Sequence, residues 1–107
     1  MKNVFIHSVY FWLKPDLADE ARKRFMDGVH SLLAIDSVQA GHIGTPADTR
    51  RPVVDHTYSH ALIVMFRDAS GHDQYQLHPN HDRFRRECAD CWDKVVIYDC
   101  LSGAQDL

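Results

Sequence analysis

The order of apolar and polar residues divides the chain into segments separated by prolines, glycines and charges. The first segment, Asn3 to Leu13, is rich in β-branched and aromatic residues and stops before Pro15, which predicts a strand followed by a break. Both faces of this strand are largely apolar: one carries Phe5, His7, Val9, Phe11 and Leu13, and the other Val4, Ile6, Ser8, Tyr10 and Trp12. We therefore expect the strand to be covered on both sides.

A helix is predicted from Leu17 to about Leu33. Asp16 is the expected N-cap, directly after a proline, and acidic residues occupy the early turns. The apolar positions recur at helical spacing: Ala18, Ala21, Phe25, Val29, Leu32 and Leu33. Gly28 lies inside this segment and is a weak point of the predicted helix.

The middle of the chain predicts two strands joined by a polar loop. Ser37 to Thr45 is a short strand with two glycines, and Pro46 to Thr57 is a proline-flanked loop. Thr57 to Asp68 is the clearest strand in the sequence. Its two faces are again apolar: His60, Leu62, Val64 and Phe66 alternate with Ala61, Ile63 and Met65.

The last third predicts two helices and a final strand. A short helix over Ser70 to Leu77 is interrupted by Pro79, which suits the first position of a second helix, Pro79 to about Trp92. Lys94 to Leu101 is then predicted as the last strand. One of its faces carries Val95, Ile97 and Asp99, and the other Val96, Tyr98 and Cys100.

The predicted order of elements is β-α-β-β-α-β. With short connections and right-handed crossovers, this order gives an α+β, ferredoxin-like fold, a four-stranded antiparallel sheet with the helices on one face. The other face is left with apolar residues, which we expect to be Ile6, Tyr10, Trp12, Ala61, Ile63 and Met65 or those on the opposite side. Such a face exceeds what monomers normally expose. We therefore predict a homodimer through the sheet face, in which two sheets pack as a dimeric α+β barrel.

Composition and charge restrict the partners of the protein. The 107 residues are expected to form one domain, residues 1–107, and their 45% apolar and 25% charged content is typical of a soluble globular protein. The net charge of −3 argues against a nucleic-acid partner. No stretch approaches the ~20 apolar residues of a membrane span, and the N-terminal run lacks a signal-peptide cleavage site. Three cysteines without a secretory signal predict free thiols in the cytoplasm.

The eight histidines carry the candidate chemistry of the chain. His81 begins a stripe at helical spacing whose other members are apolar (Phe84, Cys88, Cys91 and Trp92), so it should face the sheet. His7 and His60 lie on strands whose alternate positions are apolar. If those positions face the helices, His7, His60 and His81 converge with Tyr75 around one cleft. The alternative is that each histidine is a core residue bonded to backbone carbonyls.

Three local pairs have spacings typical of metal ligands, but none is predicted to bind a metal: His56 with His60, His78 with His81, and Cys88 with Cys91. The first pair would lie about 13 Å apart on an extended strand, at ~3.3 Å per residue. Pro79 separates the second pair. The cysteines lie near a helix C-terminus, where no dipole lowers a thiol pKa, and we interpret them as core residues. No cofactor is predicted.

Two other features are given structural interpretations. His78 precedes Pro79, and we expect it to end the first of the two helices or to cap the second. Asp55 and the loop over residues 46–56 either cover the cleft as a lid or form a solvated connection, and the second is the commoner case.

Four segments, "HSVYFWLKPD", "DHTYSHALIVMF", "YQLHPNH" and "KVVIYD", resemble in order the stress-responsive dimeric A/B-barrel (Dabb) family. The shared features are a first-strand histidine followed by V-x-F, a tyrosine before HPxH, and a last strand that ends in Tyr-Asp. The resemblance covers about Phe5 to Cys100. It implies the same protomer and sheet-mediated dimer that the pattern predicts, whereas kinship in fold does not fix function.

The polyketide-cyclase members of this family imply particular roles. Their first-strand histidine and the second histidine of HPxH do acid-base work, and the tyrosine positions substrate, which corresponds to His7, His81 and Tyr75 here. His60 matches a pocket position, and the expected apolar substrate contacts are Val9, Phe11, Leu62 and Phe84. The implied reaction is deprotonation beside a carbonyl followed by aldol-type ring closure. Those cyclases also have a tyrosine on the first helix, whereas this chain has none there.

Three hypotheses follow for the function. The first is a homodimeric barrel whose cleft binds a small, partly apolar carbonyl or phenolic compound, with lyase- or cyclase-type acid-base catalysis at His7 and His81. The second is a non-enzymatic, stress-associated protein in which the histidines are structural. The third is a cofactor-free monooxygenase-like activity, by analogy with related barrels. An accessible cleft reached by both histidines favours the first, and a close-packed interior favours the second.

Overall fold

A four-stranded antiparallel sheet carries helices on one face in the computed structural model, which describes residues 3–103. The strands are β1 (Val4–Leu13), β2 (Val38–Gly44), β3 (His60–Phe66) and β4 (Trp92–Ser102), and the helices are α1 (Asp19–Leu33), α2 (Ala69–Leu77) and α3 (Pro79–Cys88). The strand order in the sheet is β2-β3-β1-β4. The predicted α+β, ferredoxin-like fold is therefore confirmed, with the second helical position split into α2 and α3.

The register between β1 and β3 decides which residues face the helices. His7 lies opposite Val64, and Phe11 lies opposite His60. Because side chains alternate along a strand and opposite residues share a face, all odd-numbered positions of β1 point to the same side. That side is the core, where the buried strand residues are His7, Val9, Phe11, Leu13, Leu62, Val64 and Phe66. Helix α1 covers them with Phe25, Val29 and Leu32.

The even-numbered positions of β1 form the other face of the sheet, which we call the outer face. It carries the six residues predicted for it: Ile6, Tyr10, Trp12, Ala61, Ile63 and Met65. No helix covers them among residues 3–103. Tyr98 of β4 extends the same face and is 64% exposed. The two-sided apolar pattern of β1 thus reflects a core on one side and an uncovered apolar surface on the other.

The start of α1 differs from the prediction. Asp16 lies in a turn, and the helix begins at Asp19, with Ala18 in the cap position and no side-chain cap. The reason is local, because the Leu17 N–H donates to the Lys14 carbonyl and closes a turn around Pro15 before the helix begins. Acidic side chains at Asp19 and its neighbour Glu20 then complement the helix dipole in the first turn.

His78 forms the junction between α2 and α3, as predicted. Its backbone N–H donates to the Tyr75 carbonyl at 3.2 Å, and its Nδ1 accepts the Asn80 N–H at 3.0 Å. Its extended backbone suits the position before Pro79. One residue therefore ends α2 and caps α3. The Asn80 side-chain amide also donates to the Ser31 carbonyl at 3.1 Å, which fixes the start of α3 against the end of α1.

Helix α3 is shorter than the predicted Pro79 to Trp92. It ends at Cys88, a 3-10 turn covers Ala89–Cys91, and Trp92 is already the first residue of β4. Trp92 still packs against the core. The apolar periodicity therefore runs past the end of the helix, because the turn and the first strand residue keep facing the same core.

Gly28 allows α1 and α3 to approach each other closely. A Cβ at this position would lie 2.7 Å from Cδ1 of Phe84 and 3.2 Å from Sγ of Cys88. The glycine predicted to weaken the helix is therefore explained by packing between helices, and α1 continues through it. Within residues 3–103, no helix has the length and apolar character needed to cross a membrane.

Candidate functional site

A cavity of about 770 Å³ lies between the sheet and the helices α2 and α3. Seven of the eight residues predicted for the cleft line it: His7, Val9, Phe11, Leu62, Tyr75, His81 and Phe84. The strand residues among these seven line the cavity because their side chains lie on the face of the sheet that the helices cover. The volume falls within the usual range of small-molecule sites, roughly 300–1,000 Å³.

The cavity opens along the edge strand β4. Val95 and Ile97 line it from this strand, and they are 38% and 52% exposed. Asp82, Arg85 and Arg86 of α3 also line the cavity and are exposed. The interior walls are therefore apolar, while charged side chains with a basic excess stand at the opening.

His7 is paired with a carboxylate that lies directly across the sheet. β1 and β4 place Asp99 opposite His7, and His7 Nδ1 lies 2.6 Å from Asp99 Oδ1. An ionised carboxylate only accepts hydrogen bonds, so Nδ1–H of His7 is the donor. In the neutral ring this leaves Nε2 as the basic nitrogen. The His7 side chain is 5% exposed, whereas the Asp99 side chain is 41% exposed.

Tyr75 stands between the two histidines predicted to do acid-base work. Its ring meets His7 at 5.6 Å and His81 at 5.3 Å between centroids, both edge to face. Burial strongly raises the pKa of the Tyr75 phenol. The hydroxyl therefore keeps its proton at neutral pH and can act only as a neutral hydrogen-bonding group.

His81 combines an unpaired nitrogen with a lowered basicity. Its Nδ1 is buried and has no hydrogen-bond partner among residues 3–103. Burial lowers the pKa of His81, and the positive charge of Arg85 lowers it further. A buried N–H without a partner costs more than an unused lone pair. We therefore assign the proton of the neutral ring to Nε2.

His60 is the predicted site residue that does not line the cavity. It lies at the start of β3, and its ring is 5.7 Å from the ring of Phe25 in α1. His60 does face the helices, as the alternation predicts. However, its ring contacts α1, and it is not among the residues that line the cavity.

The loop over residues 46–56 contributes no lining residue to this cavity. Most of its positions are exposed, and its end is held by Asp55, whose carboxylate accepts from the Thr57 hydroxyl at 2.6 Å and from the Thr57 N–H at 2.8 Å. These bonds lower the pKa of Asp55. Asp55 lines a separate groove with Tyr10 and Trp12 of the outer face. Within residues 3–103, this loop is thus a solvated connection that does not line the cavity.

Asp99 and His72 are site residues that the sequence analysis did not single out. His72 lies on α2, and its ring centroid is 4.9 Å from that of His7 and 4.4 Å from that of Phe5. Burial lowers the pKa of His72, as does the neighbouring His7. His72 could have been found three positions before Tyr75, on the same helix face. Asp99 was placed on one face of its strand, but its partner depends on the β1–β4 register.

The ligand-like pairs found in the sequence have different surroundings in the structure. His56 is exposed in the loop before β3, and His78 uses its Nδ1 as a helix cap. Cys88 and Cys91 are buried and free, and burial raises the pKa of the Cys88 thiol to about 11. Both cysteines therefore belong to the core, as predicted.

The fold and the cavity define a ferredoxin-like α+β protein with a small-molecule-sized space between its sheet and helices. The chain belongs to the stress responsive A/B barrel domain family, whose sequence profile matches residues 5–102. This confirms the resemblance seen in the four sequence segments. A search of curated proteins gives no match.

Solved structures with the same fold cover nearly the whole chain. A Dabb family protein with a ferredoxin-like fold from Mesorhizobium loti has a TM-score of 0.76 and 25% identity, over 96% of this chain and 100% of that one. A dimeric ferredoxin-like protein of unknown function from Thermobifida fusca has a TM-score of 0.73 and 16% identity, over 94% and 92%. Hydroxynitrile lyase from Passiflora edulis has a TM-score of 0.75 and 17% identity, over 94% of each chain.

Proposed function

We propose that this protein is a homodimeric A/B barrel that binds a small, partly apolar carbonyl or phenolic compound and promotes proton transfer at it. His7 is the base, His81 donates a hydrogen bond to the carbonyl oxygen, and Tyr75 positions the compound. The observation that carries the proposal is the His7–Asp99 pair on the wall of an apolar cavity.

The His7–Asp99 pair supports the role of His7 as a base. With Nδ1–H held by the carboxylate, the ring is fixed in one tautomer and one orientation, and Nε2 is the nitrogen that accepts a proton. The imidazolium that forms is stabilised by the adjacent negative charge of Asp99. An acidic C–H beside a carbonyl is the kind of proton that such a base removes.

His81 and Tyr75 support the other half of the proton transfer. A neutral His81 with its proton on Nε2 can donate to a carbonyl oxygen that gains negative charge as the C–H bond breaks. Tyr75 remains protonated and contacts both imidazoles. The apolar walls formed by Val9, Phe11 and Leu62 exclude water around these groups, which strengthens each of these interactions.

Two of the solved structures support the proposal. The hydroxynitrile lyase from Passiflora edulis shows that a protein of this fold can be a lyase. The dimeric protein from Thermobifida fusca and the uncovered apolar outer face support the homodimer. Pairing through the outer face would leave the cavity of each chain open, because the cavity lies on the helix side of the sheet.

Proton abstraction can be tested without knowing the natural substrate. A panel of β-keto and phenolic compounds is first ranked by the rise in Tm that each produces, with a chelator present to remove adventitious metal. For bound β-keto compounds, exchange of the α-protons for deuterium is then followed by NMR. We expect the wild-type protein to exchange them faster than His7→Gln by roughly 10²-fold or more, the usual effect of a positioned acid-base group.

The matched variants separate catalysis from folding. His7→Gln keeps an N–H donor for Asp99, and His81→Gln removes the imidazole with little change in volume. His60→Gln replaces a histidine on the same face of the sheet but outside the cavity, so it should retain both binding and exchange. The proposal fails if no compound raises the Tm, or if all three variants exchange protons at the same rate as the wild type.

A further inference from the structure

Three side chains from three different elements meet beside the cavity. His7 of β1, His72 of α2 and Asp99 of β4 each offer a ligand atom, and these atoms all lie within 4.8 Å of one another. His7 lines the cavity, whereas His72 and Asp99 contact His7 and are not among the lining residues. The proposed proton transfer assigns no role to His72, although its ring is half-buried among Phe5, His7 and Tyr75.

We infer that His7, His72 and Asp99 form a binding site for a divalent first-row transition-metal ion, with Zn²⁺ as the representative ion. Two imidazoles and one carboxylate are a donor set that suits zinc and its neighbours. Calcium and magnesium favour sites built from oxygen ligands, which this cluster does not provide. Three protein ligands leave at least one coordination position for water or a bound compound.

The spacing of the ligand atoms is compatible with one ion after a small adjustment. Zinc bonds to nitrogen and oxygen are about 2.0–2.2 Å, so ligand atoms around one zinc lie roughly 3.3–3.5 Å apart in a tetrahedron. His7 Nδ1 and Asp99 Oδ1, now 2.6 Å apart across a hydrogen bond, would separate slightly as the ion replaces the shared hydrogen. His72 would move toward them. Asp99 is partly exposed, and this gives its carboxylate freedom to turn.

The surroundings of His72 resemble the support that metal-binding histidines usually have. The Gln76 side-chain nitrogen lies 3.1 Å from His72 Nε2, so this amide donates to the ring in the ion-free protein. Turned by 180°, the same amide would present its oxygen to an Nε2–H, which is the acceptor that a histidine bound to an ion through Nδ1 needs. Phe5 is stacked on the same ring at 4.4 Å, with 16° between the planes. The imidazole is therefore held in place before an ion arrives, and less ordering is needed on binding.

Metal at this site would alter what His7 presents to the cavity. With the ion on Nδ1, the proton of the neutral ring moves to Nε2, so the nitrogen facing a ligand changes from proton acceptor to proton donor. Zinc is thus expected to suppress exchange at His7. The metal site itself does not depend on the proposed function, because ion binding can be measured without any organic compound.

The test is a titration of the full, untagged chain with Zn²⁺ and with Co²⁺ after removal of metal by chelation. Calorimetry should give one zinc per chain, and Co²⁺ should give the visible absorption of a site with nitrogen and oxygen ligands. His72→Phe keeps a flat ring against Phe5 but removes both nitrogens, and Asp99→Asn weakens the oxygen donor. Each should raise the Kd for Zn²⁺ at least tenfold.

Two control variants make the outcome unambiguous. His56→Gln removes an exposed histidine, and His81→Gln removes a cavity histidine that is outside the cluster. Both should bind zinc like the wild type, while His81→Gln alone loses the proposed ligand chemistry, so the two proposals can fail separately. The site is refuted if the wild type binds no zinc at micromolar concentration, or if His72→Phe, with its Tm and circular dichroism unchanged, binds it as tightly as His56→Gln.

Discussion

At the scale of single residues, the surroundings of each histidine decide what it does. His78 is a helix cap, because its position before a proline holds its backbone extended and its Nδ1 accepts the Asn80 N–H. His7 is the partner of a carboxylate, since the strand register places Asp99 opposite it. His81 faces a cavity with a nitrogen that has no hydrogen-bond partner in the described part of the chain. The same side chain therefore has three separate roles within one small domain.

His60 provides a prediction about pH. Burial lowers its pKa, and the charge of Arg22 adds to the effect. The folded state therefore binds a proton at His60 less readily than the unfolded chain, whose histidines titrate near ~6.5. The contribution of His60 to stability is present above that pH and is lost as the pH falls from about 6.5 toward its lower folded pKa.

Urea denaturation between pH 5 and 8 checks this expectation. The free energy of unfolding of the wild type should fall on acidification, and His60→Gln should show a smaller fall over the same interval. His56→Gln, which changes an exposed loop residue, should retain the wild-type dependence. Equal pH dependence in the wild type and in His60→Gln would show that His60 is not linked to folding in this way.

At the scale of elements, local signals located the helices and strands but not their ends. Pro79 marked the break between α2 and α3 because its ring restricts the backbone wherever it occurs. The end of α3 could not be predicted, since Trp92 continues the apolar pattern after the helix has stopped. Asp16 is a residue type that often caps helices. Here it lies in the turn after Pro15, before the helix begins.

Gly28 provides the prediction at this scale. The higher helix propensity of alanine should raise the free energy of unfolding of Gly28→Ala by up to about 1 kcal/mol. Its new Cβ would meet Phe84 at 2.7 Å, however, and overpacking of this kind costs typically 1–3 kcal/mol. We expect a net loss of about 1 kcal/mol in the free energy of unfolding, measured in urea.

A double-mutant cycle identifies the cause. Phe84→Leu removes the ring atoms that the new methyl group would meet, so Gly28→Ala should cost less in that background than in the wild type. The difference is the interaction energy between the two positions. If Gly28→Ala alone is more stable than the wild type, the gain from helix propensity exceeds the cost of overpacking between α1 and α3.

At the scale of the whole molecule, the candidate site depends on long-range pairing, and the sequence predicted only part of it. His7, Tyr75 and His81 could be brought together from alternation, helical spacing and family resemblance. Asp99 could not, because its position beside His7 follows from the register of the first strand with the last one. His60 lies outside the cavity lining for a related reason: the pattern predicted which face of the sheet it occupies, but not which helix lies over each part of that face.

The two faces of the sheet lead to the last prediction, which concerns assembly. The outer face presents Ile63 at its centre, Tyr58 packs against Tyr10 and Trp12 at one end of it, and no helix within residues 3–103 covers it. A second copy of the chain is the partner we propose, since a self-complementary apolar surface closes by two-fold pairing. Light scattering at micromolar concentration should therefore give twice the chain mass of 12.3 kDa.

Charge placed on this face should break the pairing. Ile63→Lys would bury an unpaired ammonium group between two sheets, which the interface cannot accommodate without separating. Val53→Lys adds the same charge in the loop over residues 46–56, where the side chain is 85% exposed, and should leave the dimer intact. A monomeric wild type, or an Ile63→Lys variant that pairs as tightly as Val53→Lys, would remove the outer face as the interface. Because the cavity opens on the opposite side of the sheet, a folded Ile63→Lys monomer should still bind zinc at His7, His72 and Asp99.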